Sequence, residues 1–295
     1  MVVGCGSSAF AARFSVHLEA ERTGRPALQL DPSFLDENPE VDASWSDATV
    51  LVFSASGEIA EVARVAEHLR MWGAEVVGIT SAGSGRVLLD TACDHVFRTG
   101  VGSEDHDLMT KSVSAAFFAA AALSGVSVRP AIRDAANDLE HALGESVAER
   151  VADRLAGARS VAWVGDGPLY AAAQEAAAKL SQLARIPSSA WSAAELHHGP
   201  AGFLESSDAV VLLTAGTEPT LLRRSLCGQL KRFGPEVLTL GEADLSNDEP
   251  ADESVSLTGP LWSAAPVLLG LTQRIACLVA QQVTNPPALR LGGWG

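Results

Sequence analysis

The chain has 295 residues, 47% of them hydrophobic, and a formal net charge of −15. A chain of this size and composition can bury enough apolar surface for one large or two ordinary domains without disulfides. The acidic balance argues against nucleic acids and anionic membrane surfaces as partners, because both attract basic proteins. An anionic ligand would therefore need donors gathered locally in the fold.

The sequence shows no signal of export, membrane insertion or metal binding. No apolar run approaches the roughly 20 residues that cross a bilayer, and Met1 leads into a glycine turn without a basic leader. The four cysteines are scattered with no C-x-x-C, which is typical of reduced, mostly buried residues and not of a zinc site. We therefore expect a soluble cytoplasmic protein that needs no metal and no organic cofactor.

Strands and helices are predicted to alternate from the start of the chain. Short apolar runs alternate with helical patterns, as in a parallel sheet. The predicted strands are 1–3, 27–30, 49–53, 75–79 and 95–97, and the predicted helices are 9–23, 57–72, 83–92 and 110–123. Most folds of this type carry a helix before the first strand, so the chain is expected either to be cut short or to build dimer contacts differently.

The second half of the chain repeats the first. Residues 3–13 recur without a gap as 164–174, and residues 48–54 correspond to 208–214. The repeat predicts strands at 160–165, 187–191, 209–214, 236–240 and 254–257, and helices at 168–185, 192–200, 217–232 and 261–283. A charged helical stretch, 128–155, is expected to link and brace the copies.

The predicted fold is α/β: two tandem three-layer α/β/α units, each with a parallel five-stranded sheet. The expected domains are 1–127 and 157–283, joined by a linking helical segment at 128–156. The tail at 284–295 is rich in proline and glycine and is not expected to be helical.

The first candidate site is the turn Gly4-Cys5-Gly6-Ser7-Ser8-Ala9, which follows a strand and opens a helix. Free N–H groups and the helix dipole would favour an anion there. The same residues satisfy the dinucleotide pattern G-x-G-x-x-A, and Asp31 follows the second strand where a ribose-binding acid is expected. A third interpretation is a tight turn whose glycines only let the helix pack on the sheet.

A second turn, Ser54-Ala55-Ser56-Gly57-Glu58, follows the third strand. Its serines favour the interpretation of the first turn as an anion site. Both turns lie at the carboxyl edge of a parallel sheet, so their hydroxyls and amides would form a phosphate cradle without arginine or lysine. The second copy has Asp166 and Pro168 in place of Cys5 and Ser7, and lacks the second turn's serines. Phosphate is therefore predicted to bind the first copy only, unless the serines are ordinary helix caps.

These turns, together with Ala194-Glu195-Leu196-His197-His198-Gly199-Pro200, resemble the sugar isomerase (SIS) domain in duplicated form. The resemblance spans nearly the whole chain and is closest to the isomerase half of glucosamine-6-phosphate synthase and to related phosphosugar isomerases, deaminases and deglycases. It implies a phosphate site and a substrate-binding site in the first copy. The implied phosphate ligands are Ser8, Ser54 and Ser56, with Ser7 and Gly57 lining the turns and Cys5 and Gly6 beside the substrate.

The chain departs from the family pattern near the phosphate. Ala55 and Ile59 replace a glutamine and a threonine of the second turn, so two side-chain donors are missing. The segment that begins at Asp107 resembles the family's substrate-covering segment, with Met109 in place of a serine.

The resemblance also implies acid–base groups in the second copy. His198 matches the ring-opening histidine, which in the family reaches into the partner subunit's site and so implies a homodimer. Lys179 matches a lysine of the family's catalytic helix. Gln182, however, occupies the position of the family's proton-transferring glutamate, and an amide cannot act as a base. Glu195 is the candidate substitute for the base, although it could equally be an outward-facing, solvated residue. The C-terminal lysine of the family is not evident in the tail, where Arg290 could approach the substrate, but its pKa suits charge stabilisation and not proton transfer.

The leading expectation is an isomerase or deaminase acting on a 6-phosphorylated sugar. One alternative is a non-catalytic sugar-phosphate sensor, which the change to Gln182 would produce directly. A dinucleotide-dependent oxidoreductase is the other alternative.

Overall fold

The structure is a computed structural model that describes residues 1–33, 45–102, 104, 108–216, 221–242 and 253–283. The chain divides into two compact units, Met1–Val128 and Arg129–Gly295. Each is an α/β unit built on a parallel sheet of five strands.

The first unit contains the sheet order β2-β1-β3-β4-β5, with every pair parallel. Val3 pairs with Leu30 on one side and with Val52 on the other. The strands are β1 (Val2–Gly4), β2 (Gln29–Leu30), β3 (Thr49–Phe53), β4 (Glu75–Thr80) and β5 (His95–Arg98). The helices are α1 (Ser7–Thr23), α2 (Ala60–Met71), α3 (Leu89–Ala92) and α4 (Lys111–Leu123).

The second unit has the equivalent order, β10-β9-β8-β6-β7. Its central strands β6 and β8 are buried at every residue, which confirms that unbroken apolar runs form the middle of the sheet. The strands are β6 (Val161–Val164), β7 (Ser188–Trp191), β8 (Ala209–Thr214), β9 (Glu236–Gly241) and β10 (Glu253–Ser254). The helices are α5 (Val128–Gly144), α6 (Val147–Leu155), α7 (Pro168–Ala184), α8 (Ala193–His197), α9 (Leu221–Phe233) and α10 (Ala264–Gln282).

Several helices begin or end away from the predicted residues. Helix α2 begins at Ala60 and not at residue 57, because Gly57 has a left-handed φ of 73° that no helix continues through. Helix α8 stops at His197, and a 3₁₀ turn, Pro200–Phe203, follows because Gly199 and Pro200 break the helix.

The segment expected to link the copies forms α5 and α6. Ser146, with φ of 57°, separates the two helices. Both belong to the second unit apart from Val128, and α6 packs on α10. The linking role itself remains a prediction.

One helical stretch, Leu261–Gln282, is long and apolar enough to cross a membrane by length and composition. The sequence analysis had counted no run of that length, because polar residues such as Thr272 and Gln273 interrupt it. In the structure 72% of its most apolar window is buried, against α7 and α6. A core helix of a folded unit passes the same length test.

Candidate functional site

The turn from β1 into α1 depends on two glycines. A Cβ on Gly4 would lie 2.7 Å from the carbonyl carbon and oxygen of Ser8, so a side chain there would push α1 off the strand. Gly6 has a left-handed φ of 55° and caps α1 with no side-chain hydrogen bond. This geometry brings the first residues of α1, Ser7 and Ser8, close to the carboxyl edge of the sheet.

The turn after β3 is held by its own serines. Ser54 is buried, and its Oγ accepts the N–H of Gly57 at 3.2 Å. Ser56 Oγ accepts the N–H of Glu58 at 3.2 Å. Because α2 begins at Ala60 with Ile59 at its cap position, neither serine is the helix cap that we had considered as the alternative.

Ser8 and Ser54 both line one shallow pocket, whose space, including the part open to solvent, is about 260 Å³. Ser54 Oγ keeps its own O–H for donation, and the structure shows no hydrogen bond from Ser8 Oγ to any described residue. The lining residues include no charged side chain; they are Ser8, Phe53, Ser54, Ala55, Ile79, Thr80, Ser81, Thr99, Met109, Ser112, Val113 and Ala116. The predicted residues Cys5, Gly6, Ser7, Ser56 and Gly57 lie in the two turns but not on the pocket wall.

Hydroxyls that the sequence analysis had not assigned extend the pocket. Thr80 is the last residue of β4, Ser81 follows that strand and Thr99 follows β5, so all three lie at the same carboxyl edge. Thr80 Oγ1 donates to Ala55 O at 2.9 Å, and Thr99 Oγ1 donates to Ser81 Oγ at 3.3 Å. Ligands of parallel sheets bind at the carboxyl ends of the strands. Searching for hydroxyls at the end of every predicted strand, and not only of β1 and β3, would have found these residues.

Glu104 holds the start of α4 beside this pocket. Its carboxylate accepts the N–H of Ser112 at 2.7 Å, the Oγ of Ser112 at 2.5 Å and the N–H of Thr110 at 2.8 Å. Burial favours the neutral acid, but the hydrogen bonds from Ser112 and Thr110 outweigh it and lower the pKa of Glu104. Met109 lies on the pocket wall, whereas Asp107 lies outside the described residues.

Asp31, the predicted ribose-binding acid of the dinucleotide interpretation, accepts hydrogen bonds from a neighbouring residue in its own turn. Its Oδ1 accepts the N–H of Ser33 at 2.9 Å and the Oγ of Ser33 at 2.7 Å. These hydrogen bonds lower the pKa of Asp31, against a small opposing effect of burial.

In the second unit Lys179 is paired with a carboxylate that the sequence analysis missed. Lys179 Nζ lies 2.9 Å from Glu175 Oε1, and the two side chains are 3% and 0% exposed. Gln182, one turn further along α7, is exposed, and its Oε1 lies 3.5 Å from Lys179 Nζ. The spacing of four residues on one helix was the signal that could have identified Glu175.

Glu195, the proposed substitute base, forms a capping box at the start of α8. Its N–H donates to Ser192 Oγ at 3.2 Å, and its Oε2 accepts the Ser192 N–H at 3.3 Å. These contacts give the side chain a structural task, and its role as a base remains a prediction.

The two adjacent histidines differ in their surroundings. His197 Nδ1 lies 2.9 Å from Gln229 Oε1, and its Nε2 lies 3.5 Å from Ser225 Oγ, so α9 holds the ring. His198 is exposed, and its ring is hydrogen-bonded to none of the residues that the structure describes. Arg290 lies outside the described residues, and among those described no group of three acidic, histidine or cysteine side chains could hold a metal ion.

Comparison with known families decides the relationship. The model of the SIS domain matches residues 1–124 and 154–249. The chain belongs to the SIS domain family. The predicted resemblance and the predicted fold of two five-stranded α/β units are both confirmed.

Relatives of this SIS protein include phosphosugar enzymes. Glutamine–fructose-6-phosphate aminotransferase (isomerizing) of Chlorobaculum tepidum is 27% identical over 307 aligned residues, which cover 97% of this chain and 49% of that protein. The enzyme of the same name from Caulobacter vibrioides is 27% identical over 139 residues, or 44% of this chain and 23% of that protein. The SIS chain thus spans about half the length of the first of these relatives.

Solved structures share the fold. The C-terminal domain of glucosamine-fructose-6-phosphate aminotransferase from Francisella tularensis superposes with a TM-score of 0.79 at 19% identity, covering 95% of this chain and 84% of that one. Tagatose-6-phosphate ketose/aldose isomerase from Escherichia coli gives 0.78 at 18%, covering 97% and 82%. Glucosamine-6-phosphate deaminase from Thermotoga maritima gives 0.74 at 20%, covering 98% and 88%.

Proposed function

We propose that this SIS protein binds the phosphate of a sugar phosphate in the pocket lined by Ser8 and Ser54. The observation that carries the proposal is that two separate turns place hydroxyls on one uncharged pocket wall with O–H groups available for donation. Hydroxyls and helix N-termini hold phosphate without arginine or lysine, which suits a chain of net charge −15. Ser56 is the third proposed ligand, although it lies outside the pocket wall.

A 6-phosphorylated hexose or hexosamine is the proposed ligand class. Fructose-6-phosphate, glucosamine-6-phosphate and tagatose-6-phosphate stand in the names of proteins similar to this chain. The proposed chemistry is aldose–ketose isomerisation or deamination in a homodimer, with His198 opening the sugar ring in the partner's site. The helix that carries Gln182, α7, also carries the buried ion pair of Lys179 and Glu175.

A non-catalytic sensor is the second candidate, and Gln182 favours it. A base near neutral pKa is needed to move a proton between C1 and C2, and the amide of Gln182 cannot serve. The carboxylate of Glu175 is already neutralised by Lys179 at 2.9 Å, and that of Glu195 accepts hydrogen bonds within its own turn.

The test has a binding arm and a chemical arm. Hexose and hexosamine 6-phosphates are screened by thermal shift, with the unphosphorylated sugars beside them, and each ligand that binds is incubated in D₂O. An isomerase or deaminase exchanges the proton next to the carbonyl carbon, at C2 of an aldose or amino sugar and at C1 of a ketose, whereas a sensor binds without exchange. Stabilisation by unphosphorylated sugars as strong as by the phosphates would refute the phosphate site.

Ser54→Ala is expected to weaken sugar-phosphate binding by about tenfold or more, since a hydrogen bond to a charged group contributes about 1.5–3 kcal/mol. The matched control is Ser84→Ala, an exposed serine near the same edge that does not line the pocket. Equal affinities of the two variants would contradict the role of Ser54. Exchange that survives Glu195→Gln would exclude Glu195 as the base and leave the phosphate site intact.

A further inference from the structure

The hydroxyls on the pocket wall differ in whether their protons are free to bind a ligand. A serine or threonine hydroxyl has one proton to donate, and the oxygen of an ionised phosphate can only accept. A hydroxyl whose proton is already donated within the protein therefore cannot bind that oxygen. The hydroxyls on the wall belong to Ser8, Ser54, Thr80, Ser81, Thr99 and Ser112.

Ser112 and Thr80 have already donated their protons. Ser112 Oγ donates to Glu104 Oε1 at 2.5 Å, and the lowered pKa of Glu104 keeps that carboxyl ionised, so it can only accept. Thr80 Oγ1 donates to Ala55 O at 2.9 Å and accepts the N–H of Ala82 at 3.1 Å. Both side chains belong to residues that are 1% exposed, so giving up these bonds would leave buried acceptors unpaired.

Ser81 keeps a proton for a ligand. The residue is 5% exposed, and its Oγ accepts Thr99 Oγ1 at 3.3 Å. Its own O–H donates to none of the residues that the structure describes. Two hydroxyls that share one hydrogen bond use one of their two protons, so this pair retains a free proton whichever member donates. A buried O–H without an acceptor is unfavourable, and a phosphate oxygen would supply one.

Backbone hydrogen bonds place Ser81 beside the turn that carries Ser54. The N–H of Ser81 donates to Ala55 O at 3.0 Å, and the N–H of Ser54 donates to Ile79 O at 3.0 Å. Strands β3 and β4 are parallel neighbours, with Phe53 paired with Ile79 at their carboxyl ends. The first residues after the two strands are therefore bound to each other, and both serines line the same pocket.

We propose that Ser81 donates to the phosphate together with Ser8 and Ser54, and that Ser112, on the same wall, does not. This inference rests on the proposed function, because it assigns a further ligand to the same phosphate. The three serines follow or lie near the ends of three different strands, β1, β3 and β4. Their number matches the three terminal oxygens of a phosphate monoester, each of which accepts hydrogen bonds.

The test compares Ser81→Ala with its matched control, Ser112→Ala, the same substitution on the same wall. The probes are fructose 6-phosphate and glucosamine 6-phosphate, titrated by calorimetry, and inorganic phosphate, titrated by phosphorus NMR. Ser81→Ala is expected to weaken every probe that binds wild type by about tenfold or more. Ser112→Ala is expected to stay within about threefold of wild type, because its proton belongs to Glu104.

Inorganic phosphate locates the contact, since it carries no sugar. Equal losses in the two variants, unchanged affinity in Ser81→Ala, or a loss in Ser81→Ala confined to the sugar phosphates would overturn the assignment of Ser81. If Ser81→Ala does not fold, Ser81→Cys replaces the hydroxyl by a weaker donor of similar shape and is expected to weaken the same probes. Wild-type protein that binds none of the probes would refute the proposed function as a whole, whereas binding that Ser81→Ala leaves unchanged would refute this assignment alone.

Discussion

At the scale of single residues, a spacing of four residues on one helix identifies a side-chain partner better than simple closeness to a motif does. Glu195 was selected as a base because it lies three residues before His198, yet its carboxylate is used in a capping box. Glu175 is further from the histidine motif, but it lies one turn from Lys179 and pairs with it in the interior. Burial and pairing depend on the packing of α7 against α10, which the residue types alone do not reveal.

Glu104 predicts a pH dependence of stability. Its folded-state pKa is lowered, so its contribution is present above the unfolded pKa of about 4.3 and is lost as pH falls through the folded pKa. Glu104→Gln is therefore expected to lower Tm at pH 7, and the difference from wild type should shrink below about pH 4. Thermal unfolding at each pH measures this.

The matched control for Glu104→Gln is Glu67→Gln, an exposed glutamate on α2. It should leave Tm unchanged at both ends of the pH range. A Tm difference for Glu104→Gln that is the same at pH 7 and pH 3 would show that the hydrogen bonds to Ser112 and Thr110 do not depend on the charge.

Asp208 predicts a second and stronger dependence of stability on pH. Arg159, donating to it at 2.6 and 3.0 Å, lowers the pKa of this buried carboxyl to about 2, and burial opposes the shift. Asp208→Asn is expected to cost about 2 kcal/mol at pH 7, a loss that disappears as pH falls from about 4 to 2. Urea unfolding measures it, with the exposed Asp47→Asn as control; equal midpoints for the two variants would contradict the assignment.

At the scale of elements, the sequence predicts strands more closely than helix starts. The strands of the first sheet lie within two residues of their predicted bounds, because runs such as 50–53 are mostly buried and are therefore apolar. The predicted start of α2 was wrong by three residues, because the hydrogen bonds that Ser54 and Ser56 accept, together with the left-handed Gly57, stabilise a turn that competes with the helix. The wall of the candidate pocket was predicted in part: Ser8 and Ser54 follow strands, whereas Val113 and Ala116 of α4 reach the wall through tertiary packing.

The close approach of α1 to β1 predicts the effect of a single methyl group. Gly4→Ala places a Cβ 2.7 Å from the backbone of Ser8 and is expected to destabilise the fold by about 2 kcal/mol or more. It should also weaken sugar-phosphate binding, because Ser8 moves with α1. Gly83→Ala, where the structure leaves open space, is the control and should be nearly neutral; the same denaturant midpoint for both would refute the close approach.

At the scale of the whole molecule, the two units share one strand order, and we propose that they have different tasks. Each sheet follows the same order from edge to edge, so each unit offers two turns at equivalent places. In the first unit those turns present Ser8 and Ser54, and in the second they carry Asp166 and Thr214. The account predicts that phosphate recognition resides in the first unit and that acid–base groups reside in the second.

A crystal structure with a bound hexose or hexosamine 6-phosphate tests the central claim most directly. The account predicts one phosphate per chain, with its oxygens about 2.5–3.0 Å from the Oγ atoms of Ser8 and Ser54. A phosphate bound at the turn of Asp166, or an adenine nucleotide in the pocket of Ser8 and Ser54, would contradict it.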